Sequence, residues 1–391
     1  MVASAVVVDA LRSPLGRRMG SLTAAHPVDL AARVLSALVA QVDVDPALLD
    51  DVILGCVSQV GEQAFNLGRN AALAAGFPDT VPGTTVDRQC GSSQQAVHFA
   101  AQGVMAGAYD LVLAGGVEHM SRVPMGESVV AAGSLPFRHG AGDPFGTALH
   151  ARYPGLVPQG IAAETQAEQC GLTRELLDAY ALRSHELAAG AARAGRFARE
   201  IVAVPLPDGA TLATDEVVRD DMTAAALAAY APAFKPGGVV TAANSAPVAD
   251  GAAAVLIASE EFAVRHGLPV RARFRAFAVA GVDPIEMLTA PVPATRKALE
   301  RAKVSLDDVD LVEAHESFAS AVLAWQSAVE VDPGRVNVNG GALALGHPLG
   351  ASGARMLTTL VHELERRDAR LGLQVMSEAG GTANALVIER P

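Results

Sequence analysis

The sequence predicts a layered α/β protein assembled from two copies of one mixed-sheet unit, with a long insertion between them. Three observations carry this expectation. Short apolar, β-rich runs alternate with helical segments, the same texture returns near the C-terminus, and Leu49-Asp50-Asp51-Val52 recurs as Leu306-Asp307-Asp308-Val309, an offset of 257 residues. The same offset carries Cys90 onto His347.

The elements follow in order. Ala5 to Val8, Val52 to Leu54 and Leu111 to Leu113 are apolar without alternation, which predicts strands buried on both faces. Asp29 to Val42 and Ser92 to Met105 read as helices between them. From Ser121 to Val248 the texture changes: 125–158 is rich in Gly, Pro and polar residues, a helical run spans Ala162 to Phe197, and an acidic segment ends in Arg219. This predicts an inserted loop region over one end of the sheet, where functional loops are commonly placed. Strands return at Leu311-Val312, Val336 to Val338 and Ala385 to Ile388. The expected division is a first unit over 1–120 completed by 249–270, an insertion over 121–248 and a second unit over 271–391.

Composition narrows the function classes. The formal charge of −12 argues against a nucleic-acid surface, because phosphate-backbone binding needs clustered Lys and Arg. An anionic small ligand stays possible if basic side chains and helix N-termini supply a local site. No apolar run reaches a membrane-spanning length and no basic leader precedes Val6, so a cytoplasmic setting without membrane contact is the expectation. Cys56, Cys90 and Cys170 are widely spaced and form no CxxC pair, which predicts neither a disulfide framework nor a metal site.

Three segments carry chemistry. Cys90 lies in Val86-Asp87-Arg88-Gln89-Cys90-Gly91-Ser92-Ser93, just before an Ala-rich helix, where backbone N–H groups favour a thiolate; the alternative is a small core hydrophobe. His347 is framed by Gly346 and Pro348 and followed by Leu349-Gly350-Ala351-Ser352-Gly353, so its ring is expected to be presented from a turn and not simply packed. His315-Glu316-Ser317-Phe318 follows an apolar run at the C-terminal edge of a buried strand, where α/β proteins place site residues; the alternative is a solvated strand end with Glu316 outward.

Together these segments resemble the thiolase family of acyl-CoA acyltransferases. The resemblance runs from Ala10-Leu11-Arg12-Ser13-Pro14-Leu15-Gly16 to the last strand and includes Gly115-Gly116-Val117-Glu118-His119-Met120-Ser121 and Thr241-Ala242-Ala243-Asn244. It implies the thiolase fold, a five-layered α-β-α-β-α arrangement of two duplicated domains with a loop domain. It also implies Cys90 as the nucleophile that carries an acyl group, with His347 deprotonating it. Splitting acyl exchange into two steps is the advantage of such a covalent intermediate. One oxyanion site would use His347 with a water held by His315, and the other the backbone N–H groups of Cys90 and of a glycine near Gly380. The substrates would be coenzyme A thioesters with no further cofactor, and the assembly a homodimer or homotetramer.

The departure from the family is Ser377, which stands where thiolases usually carry a second cysteine as the acid/base for the α-proton. A hydroxyl is a far weaker acid than a thiol. Three explanations stand: an engineered Cys-to-Ser change, a natural homologue with altered activity, or transfer of the proton by His315 or Glu316. The last makes Cys90, His315 and His347 similar to the Cys-His-His set of decarboxylating β-ketoacyl synthases; a coenzyme-binding homologue without turnover is a further rival. The resemblance also assigns Arg219 to the adenine and phosphates and Phe234 to the pantetheine channel. It assigns a ligand contact to Ser245, although Ser245 and Ala246 stand in the reverse of the family's Ala-Ser order, and substrate binding to Phe318; Gln159 and Met287 fall near the acyl pocket. Glu118-His119-Met120 and Gln159 look most like actinobacterial thiolases of lipid or steroid breakdown.

Overall fold

The computed structural model describes residues 4–130 and 144–391, with side chains described except at 129 and 130; the part of the Gly- and Pro-rich stretch at 131–143 lies outside the described residues. Among the described residues nine strands form the main sheet: β1 (Ala5–Arg12), β2 (Asp51–Gly55), β3 (Thr84–Val86), β4 (Leu111–His119), β5 (Ala249–Ser259), β6 (Ala272–Gly281), β7 (Leu311–Ala314), β8 (Leu371–Glu378) and β9 (Thr382–Glu389), with the two-residue strand Gly16–Arg17 pairing on β5. The order is β7-β8-β9-β6-β1-β5-β4-β2-β3.

The two copies are visible in this order. In the first, β2 runs parallel to β3 and β4, and β5 pairs antiparallel with β4 and β1. In the second, β7 runs parallel to β8, and β9 pairs antiparallel with β8 and β6. The position of β3 is taken by a bridge from Val336 to Val312 alone, because Asn337 turns away with φ +47°, so the strand expected over Val336 to Val338 does not form. The two mixed sheets are joined where β1 meets β6, at Val6–Arg273 and Val7–Ala272.

Five layers result. Helices α1 (Pro27–Val42) and α2 (Leu67–Ala74) cover the outer face of the first sheet through Leu35, Leu38 and Ala71. Helices α3 (Ser92–Met105) and α8 (Ser352–Arg366) fill the middle, with Val97, Ala100, Leu357 and Leu360 in one apolar cluster. Close approach depends on two glycines: a Cβ on Gly55 would collide with the backbone at Ser92 and Ser93, and one on Gly353 with the backbone of Gln94. Helices α6 (Pro291–Ala302) and α7 (Ala319–Val329) cover the outer face of the second sheet with Ala294, Ala298 and Trp325.

The duplication is real, but its register is 260 residues and not 257. Asp43 and Lys303 close α1 and α6 in the left-handed conformation; Asp50 and Asp310 each accept hydrogen bonds from the backbone that starts the next long strand; and Ser92 and Ser352 open the two central helices. The repeated Leu-Asp-Asp-Val is therefore out of register by three, and the counterpart of Cys90 is Gly350. His347 corresponds to Asp87.

The stretch between β4 and β5 contains α4 (Gln159–Gln169) and α5 (Arg174–Arg193). The continuous helix expected over Ala162 to Phe197 is broken because Gly171 takes φ +63° and the Thr173 hydroxyl caps the next helix at Leu176 N, 3.4 Å. Buried Arg12 on β1 ties this stretch down. Its guanidinium donates to Glu200 at 2.7 Å and to both Asp215 oxygens at 2.7 and 2.9 Å.

Candidate active site

Cys90 sits in the turn between β3 and α3, with Gln89 at φ +49° before it and Gly91 as the helix N-cap. It is buried in a cluster with Met120, Leu349 and Met376, against which Val248 packs. Its own N–H and that of Ala379 favour the thiolate, but burial and then the Glu378 carboxylate oppose it, and the thiol is pushed up to about 12. The helix start favours the thiolate, as the sequence predicts, without being sufficient: the resting thiol keeps its proton until a base takes it. The second amide acting on the sulfur is Ala379's and not that of Gly380, which sits at φ +79° in the turn joining β8 to β9.

His347 is presented as expected, between Gly346, at φ +95°, and Pro348. Its N–H is anchored on Pro247 O at 2.9 Å, beside the backbone bridge from Val248. The ring's protonation is fixed by Ser352, the first residue of α8. Ser352 Oγ donates its proton to Pro348 O at 2.9 Å and lies 2.6 Å from His347 Nδ1, so Nδ1 must be the donor to it. Nε2 is left as a buried lone pair with no partner among the described residues.

His315 follows β7, and its ring centroid is 4.4 Å from that of His347 at 53°. Its Nδ1 lies 3.1 Å from Ser377 O and 2.9 Å from Ser377 Oγ; a carbonyl only accepts, so Nδ1 carries the hydrogen here as well. Its Nε2 is likewise buried without a partner among the described residues. Burial lowers His315 to about 3 and holds His347 well below the usual imidazole range, with His315 and then Arg355 lowering His347 further. Both rings are neutral near pH 7. Ser377 Oγ is also 3.2 Å from Ser317 Oγ, and a cavity of about 10 Å³ lined by Ala314, Trp325 and Val375 adjoins His315 and Ser377.

Glu316 is not a solvated strand end, nor does it face this cluster. Fully buried, it accepts hydrogen bonds from Tyr180 Oη at 3.1 Å, Ser184 Oγ at 2.8 Å, Asn337 Nδ2 at 2.7 Å and Leu343 N at 3.1 Å. With its oxygens engaged, it fastens α5 to the second copy. The proton-transfer role considered for it is withdrawn.

The residues expected around coenzyme A lie on the stretch between β4 and β5 and near its contacts. Arg219 NH1 donates to Tyr230 Oη at 3.2 Å, its N–H reaches His185 Nδ1 at 3.4 Å, and its ion pair is a loose one to Asp221 at 3.8 Å. Phe234 is 39% exposed and meets buried Phe318 edge-on at 5.8 Å. Gln159 opens α4, the helix whose Gly160 lies against the Phe234 ring, and Met287 packs in the apolar cluster that α4 shares through Ala162 and Ala163. Ser245 has spent its hydroxyl proton on Thr241 O at 2.7 Å, so it offers a ligand only lone pairs.

Three residues of this neighbourhood were given no site role from the sequence, although Ser352 and Glu118 lie within quoted motifs. Ser352 was hidden inside a small-residue helix start. Glu118 and Glu378 stand 260 positions apart on β4 and β8, in equivalent places. Glu118 accepts from the N–H groups of Val57, Ser58 and Gly350 and from Gln63, whereas Glu378 accepts from Thr382 Oγ1 at 2.7 Å while its Oε1 is buried without a partner among the described residues. Among the described residues no group of three or more His, Cys, Asp or Glu could hold a metal ion, and no helix is long and apolar enough to cross a membrane.

The family model for the thiolase N-terminal domain matches residues 5–261 and that for the thiolase C-terminal domain matches 268–390. A steroid 3-ketoacyl-CoA thiolase of Mycobacterium tuberculosis is 45% identical over 390 residues, covering 100% of this chain and 95% of that protein. A 3-ketoacyl-CoA thiolase of Erwinia tasmaniensis is 45% identical over 396 residues, covering 98% and 99%. The crystal structure of the Bacillus anthracis acetyl-CoA acetyltransferase superposes with a TM-score of 0.91 at 40% identity, covering 100% of this chain and 99% of that one.

Proposed function

The chain belongs to the thiolase family, and on that premise we propose that it moves acyl groups between coenzyme A and carbon through an acyl-enzyme on Cys90. The observation that carries this reading is the Ser352–His347 pair, which leaves His347 Nε2 unprotonated at neutral pH. In the cleavage direction Cys90 Sγ attacks the keto carbon of a 3-ketoacyl-CoA while its proton passes to His347 Nε2. The bond between the α and β carbons breaks, acetyl-CoA leaves as its enolate and takes at its α-carbon the proton that Cys90 gave to His347, relayed through the Ser377 hydroxyl, and the remaining acyl group stays on sulfur. Coenzyme A thiol then takes that acyl group and returns the proton to Cys90.

Charge that develops on oxygen meets two sets of donors. The amides of Cys90 and Ala379 serve the tetrahedral intermediates on Cys90. The enolate oxygen is served by the protonated Nε2 of His347 and by a water that gives one hydrogen to His315 Nε2 and the other to the oxygen. Ser377 is the weak part of this apparatus. Its hydroxyl is a poor acid, so proton exchange at the α-carbon is the slow step.

Arg219 and Tyr230 would meet the phosphates, and Phe234 and Phe318 would line the channel toward Cys90, with Met287 and Gln159 shaping the acyl end. The relatives favour thiolysis over the decarboxylating alternative, since they are named for thiolase and acetyltransferase activities. A homodimer or homotetramer in a cytoplasmic setting completes the reading. In support of self-association, β3 is an edge strand among the described residues, and Phe65, 94% exposed, leads into Asn66, which holds Gly83 O just before that strand. Thiolysis of a 3-ketoacyl-CoA series by the protein and by His347→Ala tests the reading. Loss of about 10²-fold or more in the variant is expected from removing a general base, and equal rates would overturn it.

A further inference from the structure

We propose that Glu378 is a positioning residue for Cys90, making the reactivity of the thiol depend on whether the Glu378 carboxyl carries its proton. The inference rests on Cys90 being the nucleophile of the proposed function and extends it to a residue with no role there.

The geometry begins with the duplication. Glu118 lies beneath the turn that holds Gly350, the counterpart of Cys90, and its carboxylate is fully used: Val57 N and Gly350 N bond Oε2, each at 2.9 Å, while Ser58 N and Gln63 Nε2 bond Oε1, each at 3.0 Å. That carboxylate is an anchor. Glu378 holds the equivalent place beneath the turn that carries Cys90, yet its Oε1 is buried and unpartnered among the described residues. This oxygen is pressed on the backbone next to the nucleophile, since a Cβ on Gly91 would run into it. A fully buried carboxylate with one bare oxygen is costly to ionise, and burial raises Glu378 to about 7.

The groups around it are few. Asp87 and Arg88 act on it from the turn before α3 with opposite signs, Thr382 donates to its other oxygen from β9, and Cys90 lies next to Gly91; Glu118 acts on Cys90 more weakly from β4. The neutral rings of His315 and His347 complete the site. With its proton on, Glu378 is neutral and leaves a developing thiolate unopposed. Once ionised, it places a second negative charge beside the sulfur and opposes loss of the thiol proton. Acylation removes the sulfur's charge, so the resting acyl-enzyme is indifferent to Glu378, and the steps that feel it are those in which the Cys90 thiolate forms or leaves.

Alkylation of Cys90 reads this directly. The sulfur displaces iodide from iodoacetamide, the thiol proton leaves to solvent, and the mass of the Cys90 peptide against time and pH gives the rate. Glu378→Gln, isosteric and neutral at every pH, is expected to react at the wild-type rate at pH 5.5 and about tenfold faster at pH 8.5, equivalent to one unit of thiol pKa. Thr382→Val removes the donor that favours the ionised carboxyl, so it is expected to shift the inflection to higher pH and to react faster than wild type at pH 7.5. Parallel pH profiles for all three proteins, or a constant loss in Glu378→Gln at every pH, would overturn the proposal. The acyl-enzyme reading fails by a different result, the absence of acyl mass on Cys90 after incubation with acetoacetyl-CoA, which the alkylation profile does not depend on.

Discussion

His347 Nδ1 lies 2.6 Å from Ser352 Oγ, and that hydroxyl is already committed to Pro348 O at 2.9 Å. One proton on one hydroxyl thus decides the state of the ring: Nδ1 donates, and Nε2 is left free to accept. The serine comes from the first turn of α8, while the thiol comes from the turn before α3, its counterpart in the first copy. Each copy of the fold therefore supplies one end of the proton transfer.

Replacing Ser352 by Ala releases Nδ1 and lets the ring take the other tautomer. Acylation of Cys90 should fall by roughly 10²-fold, within the range a general base supplies. Quenched-flow mass spectrometry reads the acylation rate, and an unchanged rate would show that Ser352 has no part in setting the tautomer.

Ser377→Cys restores a thiol where Ser377 now meets His315 Nδ1 and Ser317 Oγ. Thiolysis should rise by about 10²-fold or more, while acyl capture by Cys90 from acetyl-CoA, which breaks no carbon–carbon bond, changes less than about twofold, because only the α-carbon proton needs the new group. Equal thiolysis rates would mean that another residue already moves this proton.

Acid stability tests the buried histidines. His98 in α3 is fully buried against Phe277, centroids 5.1 Å apart, and burial lowers it to about 3. Above pH 6.5 neither state binds its proton. As the pH falls below 6.5 the unfolded chain takes a proton that the native state refuses, so stability is lost progressively down to about 3. The loss of unfolding free energy between pH 7.5 and 5, measured in denaturant, should be about 2 kcal/mol smaller in His98→Leu than in wild type. An identical loss would contradict the buried neutral ring.

Glu316→Gln turns one acceptor oxygen toward donors from Tyr180, Ser184, Asn337 and Leu343 into a competing amide. The expected cost is about 2–4 kcal/mol of stability, typical of a buried charged group losing part of its hydrogen-bond set. A denaturation midpoint at the wild-type value would remove Glu316 as the fastener of α5.

Much of this was legible in the chain. Apolar runs without alternation predicted the doubly covered strands, and glycine, proline and small residues around Cys90 and His347 marked both turns. What periodicity could not provide was register: Leu-Asp-Asp-Val repeats by coincidence three residues from the true alignment, since the aspartates that cap the next strands are Asp50 and Asp310. Side-chain direction was equally hidden. His315 and Glu316 are neighbours in sequence, yet one faces Ser377 and the other the insertion, as alternation along extended backbone requires. Thiol acidity depends on burial and on Glu378, neither of which a motif encodes.

The most direct test of the account is the mass of the protein after brief incubation with acetoacetyl-CoA and acid quench, followed by peptide mapping. An acetyl group on the Cys90 peptide, absent in Cys90→Ala and slowed in His347→Ala, is the predicted result. An unmodified Cys90 peptide while acetyl-CoA is nonetheless released, or an acetyl group mapped to Cys56 or Cys170, would contradict it.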